Sequence, residues 1–172
     1  MAHFPLNFFL LVSLLLSSSC VMAMFDLVDK VCIENRSPPL CRAVLRSDAR
    51  SATSDLTGLG YIALDLTRKH VTAVRDYIKT LIAQNQDPGL KEPLEFCLQK
   101  YNESLDACAR AEPSLGDRYY GGYYLAGRDL SSYGFLCQSE FGAKPSTLGG
   151  RNKKTAAFGD LFRSIASLLS KG

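Results

Sequence analysis

The side chains with the most chemistry to offer in this 172-residue chain are six cysteines and two histidines. Their spacing admits cross-links more readily than catalysis. A nucleophilic cysteine needs a base beside it, and a zinc site draws on several Cys, His or carboxylate ligands. His3 falls in a segment expected to be removed, so His70 is the imidazole that remains. It shares a predicted helix with Arg68 and Lys69, where a solvated or half-buried side chain is the ordinary outcome and pH sensing has no visible partner. Asp55 and Asp65 could divide acid and base roles. They fall among charged residues on one long predicted helix, however, with no nucleophile motif beside them. No catalytic, cofactor-binding or metal-ligating set is expected. Charge argues against nucleic acid as well: 20 Lys+Arg against 17 Asp+Glu leave +3, with no Lys/Arg run longer than two.

The cysteines then have to be read by compartment. Phe8 to Leu16 is an apolar run interrupted only by Ser13, followed by Ser17-Ser18-Ser19 and Val21-Met22-Ala23. That is the layout of a signal peptide over residues 1–23, cleaved after Ala23, and the run is about half the length that spans a bilayer. The mature chain, 24–172, is expected to be soluble and secreted, with no membrane attachment. Disulfides are therefore permitted, and Asn35-Arg36-Ser37 and Asn102-Glu103-Ser104 become candidate N-glycosylation acceptors. Cys20 leaves with the signal. Cys32 and Cys41 flank Ser37-Pro38-Pro39, so a bridge between them would staple a hairpin, worth on the order of 2–3 kcal/mol. Cys97 and Cys108 lie on one predicted helix about 16 Å apart along its axis, too far for a bridge that needs Cα atoms within about 7 Å. Cys137 must take one of the two, and spacing does not say which. The thiol left over reads first as a small buried apolar residue and second as an intermolecular redox handle.

The elements that position these residues are helices. Little alternates with the period of a strand, and apolar residues recur at steps of three and four. One predicted helix, about Ser54 to Asn85, carries Leu59, Ile62, Leu66, Ala73, Tyr77 and Leu81. Thr53 or Ser54 is its expected cap and Asp87-Pro88-Gly89 its stop. At about 45 Å it needs long partners. A second, about Glu92 to Ala111, has Pro93 in its first turn, the face Leu94, Cys97, Tyr101, Leu105, Cys108, and a break at Glu112-Pro113. A third, from after Ser114 to about Phe141, shows Tyr120, Tyr123, Gly127, Leu130, Gly134, Cys137 and Phe141. Gly127 and Gly134 fall on that stripe, where another helix could approach closely. The last, about Lys153 to Ser170, presents Phe158, Leu161, Phe162, Ile165, Leu168 and Leu169. The expected fold is all-α: an up-and-down four-helix bundle over 51–172, preceded by a disulfide-stapled helical hairpin over 24–50.

Several motifs in order resemble the plant invertase and pectin methylesterase inhibitor family. They are the pair Cys32 and Cys41 with Pro38-Pro39-Leu40 before the second, Arg46 to Ala52, Asp55-Leu56-Thr57-Gly58-Leu59-Gly60, Asp87 to Lys91 ahead of Cys97 and Tyr101, and Cys137 with Phe141. The resemblance implies bridges Cys32–Cys41 and Cys97–Cys137, with Cys108 unpaired. It departs from the family where a fifth cysteine is usual in the last helix, since Phe162 stands there. It also implies function: a helical inhibitor, without cofactor, that occupies the substrate cleft of a cell-wall or vacuolar carbohydrate-active enzyme, one to one. Pectin methylesterase is the first expected target and acid invertase the second. A secreted binding protein that has lost inhibition is a further alternative, because Leu136 precedes Cys137 and Gln138-Ser139 follow it, where pectin methylesterase inhibitors usually have Thr and Glu-Asp. The Pro-Lys-Phe motif frequent in invertase inhibitors is absent too, replaced by Arg118-Tyr119-Tyr120 after Gly116-Asp117. Arg118, Tyr119, Tyr124, Arg128 and Tyr133 are the aromatic and arginine side chains expected to anchor an interface.

Overall fold

A computed structural model describes residues 26–142, 144 and 146–172; the expected signal peptide lies outside them. The described residues form six α-helices and one 3₁₀ turn, with no strand among them. They are α1 Leu27–Ile33, α2 Pro38–Arg46, the 3₁₀ turn Ala49–Ala52, α3 Leu56–Gln84, α4 Pro88–Gly116, α5 Tyr120–Glu140 and α6 Gly149–Leu169. Each of the four long helices packs on the next, and α6 closes back onto α3. Short connections between consecutive helices make this an up-and-down bundle, as the periodicity predicts. None of the described helices is long and apolar enough to cross a membrane.

Helix starts are where the sequence expectation needs correcting. Asp55, not Thr53 or Ser54, caps α3: its Oδ1 accepts from Gly58 N at 2.7 Å. Asp87 likewise caps α4, accepting from Gly89 N at 2.8 Å, with Pro88 in the first turn. α3 ends at Gln84, ahead of Asp87-Pro88-Gly89 as expected, but the same motif also opens α4, which begins four residues before the predicted Glu92. Pro93 then sits inside the helix, where its missing N–H frees the carbonyl of Gly89. Lys144 Nζ donates to that carbonyl at 2.6 Å, which satisfies the orphan. Pro113 does not end α4 either; the helix runs one further turn to Gly116.

The core follows the predicted stripes closely on α5 and α6 and less closely on α3. Tyr123, Gly127, Leu130, Gly134 and Cys137 are buried, as are Phe158, Leu161, Phe162 and Ile165. Tyr123 stacks on Phe162 with ring centroids 4.4 Å apart, and its hydroxyl donates to Gly60 O at 2.9 Å. On α3 the buried residues of the C-terminal half are Val71, Val74 and Ile78, whereas Ala73 is exposed and Tyr77 and Leu81 are half-buried. On α4 Ser104 takes the buried position expected for Leu105, its hydroxyl satisfied by Lys100 O at 2.8 Å.

The hairpin lies against the bundle through buried Val28, Val31, Cys32 and Leu45, touching α6 and α3. Arg42 Nε donates to Asp29 Oδ1 at 2.7 Å and Arg46 Nη2 to Asp29 Oδ2 at 3.0 Å, which holds α1 and α2 together. Cys32–Cys41 staples the same pair, and Cys97–Cys137 ties α4 to α5 with Cα atoms 4.8 Å apart. The fold therefore selects Cys97 as the partner that spacing left open. Cys108 is unpaired and buried, and burial pushes its thiol up to about 11, so it packs as a small apolar residue. Of the two acceptor triplets, Asn102 is exposed, whereas Asn35 is 6% exposed with its amide nitrogen 3.4 Å from Ser164 Oγ. A glycan on Asn35 would have to displace that contact.

Candidate functional site

The carboxylates that could have done acid–base work are occupied structurally. Asp55 is spent as the α3 cap, and Asp65 accepts from Arg50 Nη2 at 3.0 Å. Ten residues of helix separate them, about 15 Å, well beyond the spacing of glycosidase pairs. No group of three His, Cys, Asp or Glu able to hold a metal ion occurs among the described residues.

His70 is held in place. Its Nε2 lies 3.2 Å from Arg151 O and 3.1 Å from Thr155 Oγ1. A carbonyl can only accept, so the neutral ring carries its proton on Nε2. The ring leans on Phe158 with centroids 5.4 Å apart. Burial, aided by the cationic Lys154 and Arg151, lowers its pKa from 6.5 to about 4, against the opposing hydrogen bond to Arg151 O. The unfolded chain therefore binds the extra proton between those values. His70 contributes its full stability above pH 6.5, and that contribution is lost as pH falls toward 4. The carboxylates of Asp29, Asp48 and Glu103, lowered chiefly by Arg42, Arg50 and Lys100, act at lower pH. His70→Gln is thus expected to shrink the difference in melting temperature between pH 7 and pH 5; an unchanged difference in the variant would refute the assignment.

A groove runs between α5 and α6 and ends under the turn that joins α1 to α2. It comprises two adjoining clefts of about 710 and 140 Å³ that share Arg36, Tyr124, Asp160 and Arg163. Arg163 organises its floor: Nη1 donates to Asp160 Oδ1 at 3.1 Å and Nη2 to the Tyr124 hydroxyl at 3.2 Å. Arg36 faces the same carboxylate at 4.0 Å. Along the rim stand Arg128, Leu136 and Phe135, the last 70% exposed. The five residues expected at an interface are divided by this geometry. Tyr124 and Arg128 belong to the groove. Tyr133 lies on the α4 side of α5, its ring centroid 5.6 Å from Lys100 Nζ. Arg118 and Tyr119 are exposed in the turn between α4 and α5, where Arg118 takes a left-handed φ of 57°.

The sequence matches the family model for plant invertase/pectin methylesterase inhibitors over residues 26–154, well over half of the chain. The chain belongs to that family. This inhibitor-family chain is 29% identical to a pectinesterase inhibitor of Actinidia deliciosa, over 80% of its own length and 74% of the relative's. It is 28% identical to the cell wall / vacuolar inhibitor of fructosidase 1 of Arabidopsis thaliana, over 71% and 60% respectively. Its fold superposes on a mutant form of an Arabidopsis pectin methylesterase inhibitor with a TM-score of 0.75 at 17% identity, covering 82% of this chain and 95% of that one. An inhibitor family of this kind comprises enzyme inhibitors and not enzymes. Within this inhibitor-family bundle the groove also brings Phe135, Leu136, Arg36 and Arg163 beside Tyr124 and Arg128. Phe135 had a sequence signal: it falls one position off the stripe through Gly134 and Cys137, so a helix must turn it outward.

Proposed function

We propose that the chain is a secreted inhibitor of a pectin methylesterase, acting at the cell wall by docking one to one across the enzyme's substrate cleft through the α5–α6 groove. One observation carries this reading: a large aromatic, Phe135, stands 70% exposed beside Tyr124 and Arg128 on a helix cross-linked to its neighbour. An exposed aromatic beside arginine is the composition of binding hot spots, and a helix already fixed in place loses little entropy on docking. Pectin methylesterase stands ahead of acid invertase as the target because the pectinesterase-inhibiting relative aligns over more of both chains than the fructosidase-inhibiting one. The vacuole is the alternative site of action.

The test is a side-by-side titration of purified protein against a plant pectin methylesterase and an acid invertase at mildly acidic pH. Activity of the first is expected to fall to an equivalence point at one inhibitor per enzyme. Phe135→Ala and Arg128→Ala should each weaken inhibition about 30-fold, the equivalent of a 2 kcal/mol hot spot, with the melting temperature unchanged. Tyr133→Ala, on the α4 side, should leave inhibition intact. If Phe135→Ala and Arg128→Ala inhibit as well as the parent, the groove is not the docking face. If neither enzyme is inhibited, the scaffold serves non-inhibitory binding.

A further inference from the structure

A second cleft, on the opposite side of α6 from the docking groove's Tyr124 wall, is built where the hairpin meets the bundle. Its volume is about 400 Å³, within the range of about 300–1,000 Å³ that small-molecule sites occupy. Three separate elements form it: α2 with its C-terminal cap contributes Leu40, Val44 and Ser47, α3 contributes Leu66, Lys69 and His70, and α6 contributes Lys154 and Phe158. The floor is apolar, and the two formal charges in the lining are both positive.

Lys69 and Lys154 are exposed and make no ion pair among the described residues. Lys154 Nζ sits 5.9 Å from the Phe158 ring centroid, over the floor itself. Asp48 is near enough to feel Lys69 and Asp65 stands one turn before it on α3, but both carboxylates accept from Arg50, Asp48 at 2.7 to 3.2 Å and Asp65 at 3.0 Å, and neither closes an ion pair with Lys69. The imidazole of His70 cannot offset the lysines, since it is neutral and fixed by Arg151 O and Thr155 Oγ1. Burial first, with Lys154 and Arg151 adding to it, holds the ring in that neutral form.

We propose that this cleft binds a small amphiphilic carboxylate, its apolar body on Phe158, Val44 and Leu66 and its anionic head between Lys69 and Lys154. An apolar floor selects against inorganic anions, which gain nothing from it, and two unpaired ammonium groups select against neutral hydrophobes. Bound there, the ligand would bridge the hairpin to α3 and α6.

Naphthalene-2-carboxylate is a suitable probe, with naphthalene-2-carboxamide as its neutral counterpart, titrated calorimetrically into the mature protein at pH 6. Saturable one-to-one binding of the carboxylate is expected, about tenfold tighter than the carboxamide, as two exposed ion pairs would give. Lys69→Gln combined with Lys154→Gln should abolish that preference, both side chains being exposed. Saturation with the carboxylate should also raise the pKa of His70, read by proton NMR. Equal affinity for the two probes, an unchanged preference in the double variant, or no saturable binding of the carboxylate would each overturn the proposal. None of these outcomes depends on inhibition, so the docking reading is tested separately.

Discussion

Replacing Cys97 and Cys137 together by alanine should cost about 4 kcal/mol of stability, by the chain-entropy model for a loop of this length. The bridge spans 40 residues of sequence, and closing so long a loop removes many conformations from the unfolded chain. Cys32–Cys41 spans nine, so its double alanine variant should cost less, about 2.5 kcal/mol on the same model. At about 2–4 °C per kcal/mol for a chain of this size, the first variant should melt roughly 12 °C lower and the second roughly 7 °C lower. Differential scanning calorimetry without reductant measures both. The order of the two losses is the sharp part of the expectation, because native packing contributes to each and shifts the absolute values. Equal or inverted losses would mean that native contacts, not loop closure, set the worth of these bridges. If docking runs through the proposed groove, the longer bridge has a second consequence. It joins α4 to α5, so its loss frees the helix that carries Tyr124, Arg128 and Phe135.

That pairing marks the boundary of what could be read from spacing. Geometry along one helix excluded Cys97–Cys108, but the choice between Cys97 and Cys108 as partner for Cys137 depends on how α4 is rotated against α5. Periodicity sees each helix alone. The same limit appears on α3, where Leu66, Ala73, Tyr77, Leu81, stepping by seven and four, and Val71, Val74, Ile78, stepping by three and four, are both helical stripes; contact with α4 and α6 decides that the second set is buried. Tyr77 is left at the edge, where the Arg151 guanidinium covers its ring at 3.9 Å. Local signals misled where one motif has two uses. Asp87-Pro88-Gly89 ends helices and also starts them, and here it does both: α3 stops at Gln84, and Asp87 opens α4 by reaching the Gly89 N–H. The groove proposed for docking was legible only in part. Tyr124 and Arg128 lie on one helix face one turn apart, which spacing shows. Arg36 and Arg163 reach the groove from opposite ends of the chain, and no local pattern joins them.

The α5 glycines were read as points of close approach, and their consequence is sharpest at the residue opposite. Gly159 on α6 meets Gly127 O and the Ser131 side chain at the place where a Cβ would stand, with Ser131 N only 2.6 Å away. From the other side, a Cβ on Gly127 would fall 2.6 Å from Gly159 O and 2.7 Å from Phe162 Cβ. These neighbours are mostly backbone, which cannot swing aside as a long side chain would. Gly159→Ala must therefore push α5 and α6 apart along their shared seam, an overpacking cost of about 3 kcal/mol. The better helix propensity of alanine returns about 1 kcal/mol, so the net loss should be about 2 kcal/mol, or roughly 6 °C in melting temperature. Gly150→Ala isolates the propensity effect, since nothing lies within 4 Å of a Cβ placed there, in the first turn of the same helix. It should leave stability unchanged or raise it by up to about 1 kcal/mol. Thermal unfolding of the two variants side by side decides the matter: if Gly159→Ala melts with or above the parent, the two backbones are not in contact. Where the seam does open, Tyr124 and Arg128 on α5 and Arg163 on α6 move apart with it. Inhibition should then weaken with no docking side chain replaced.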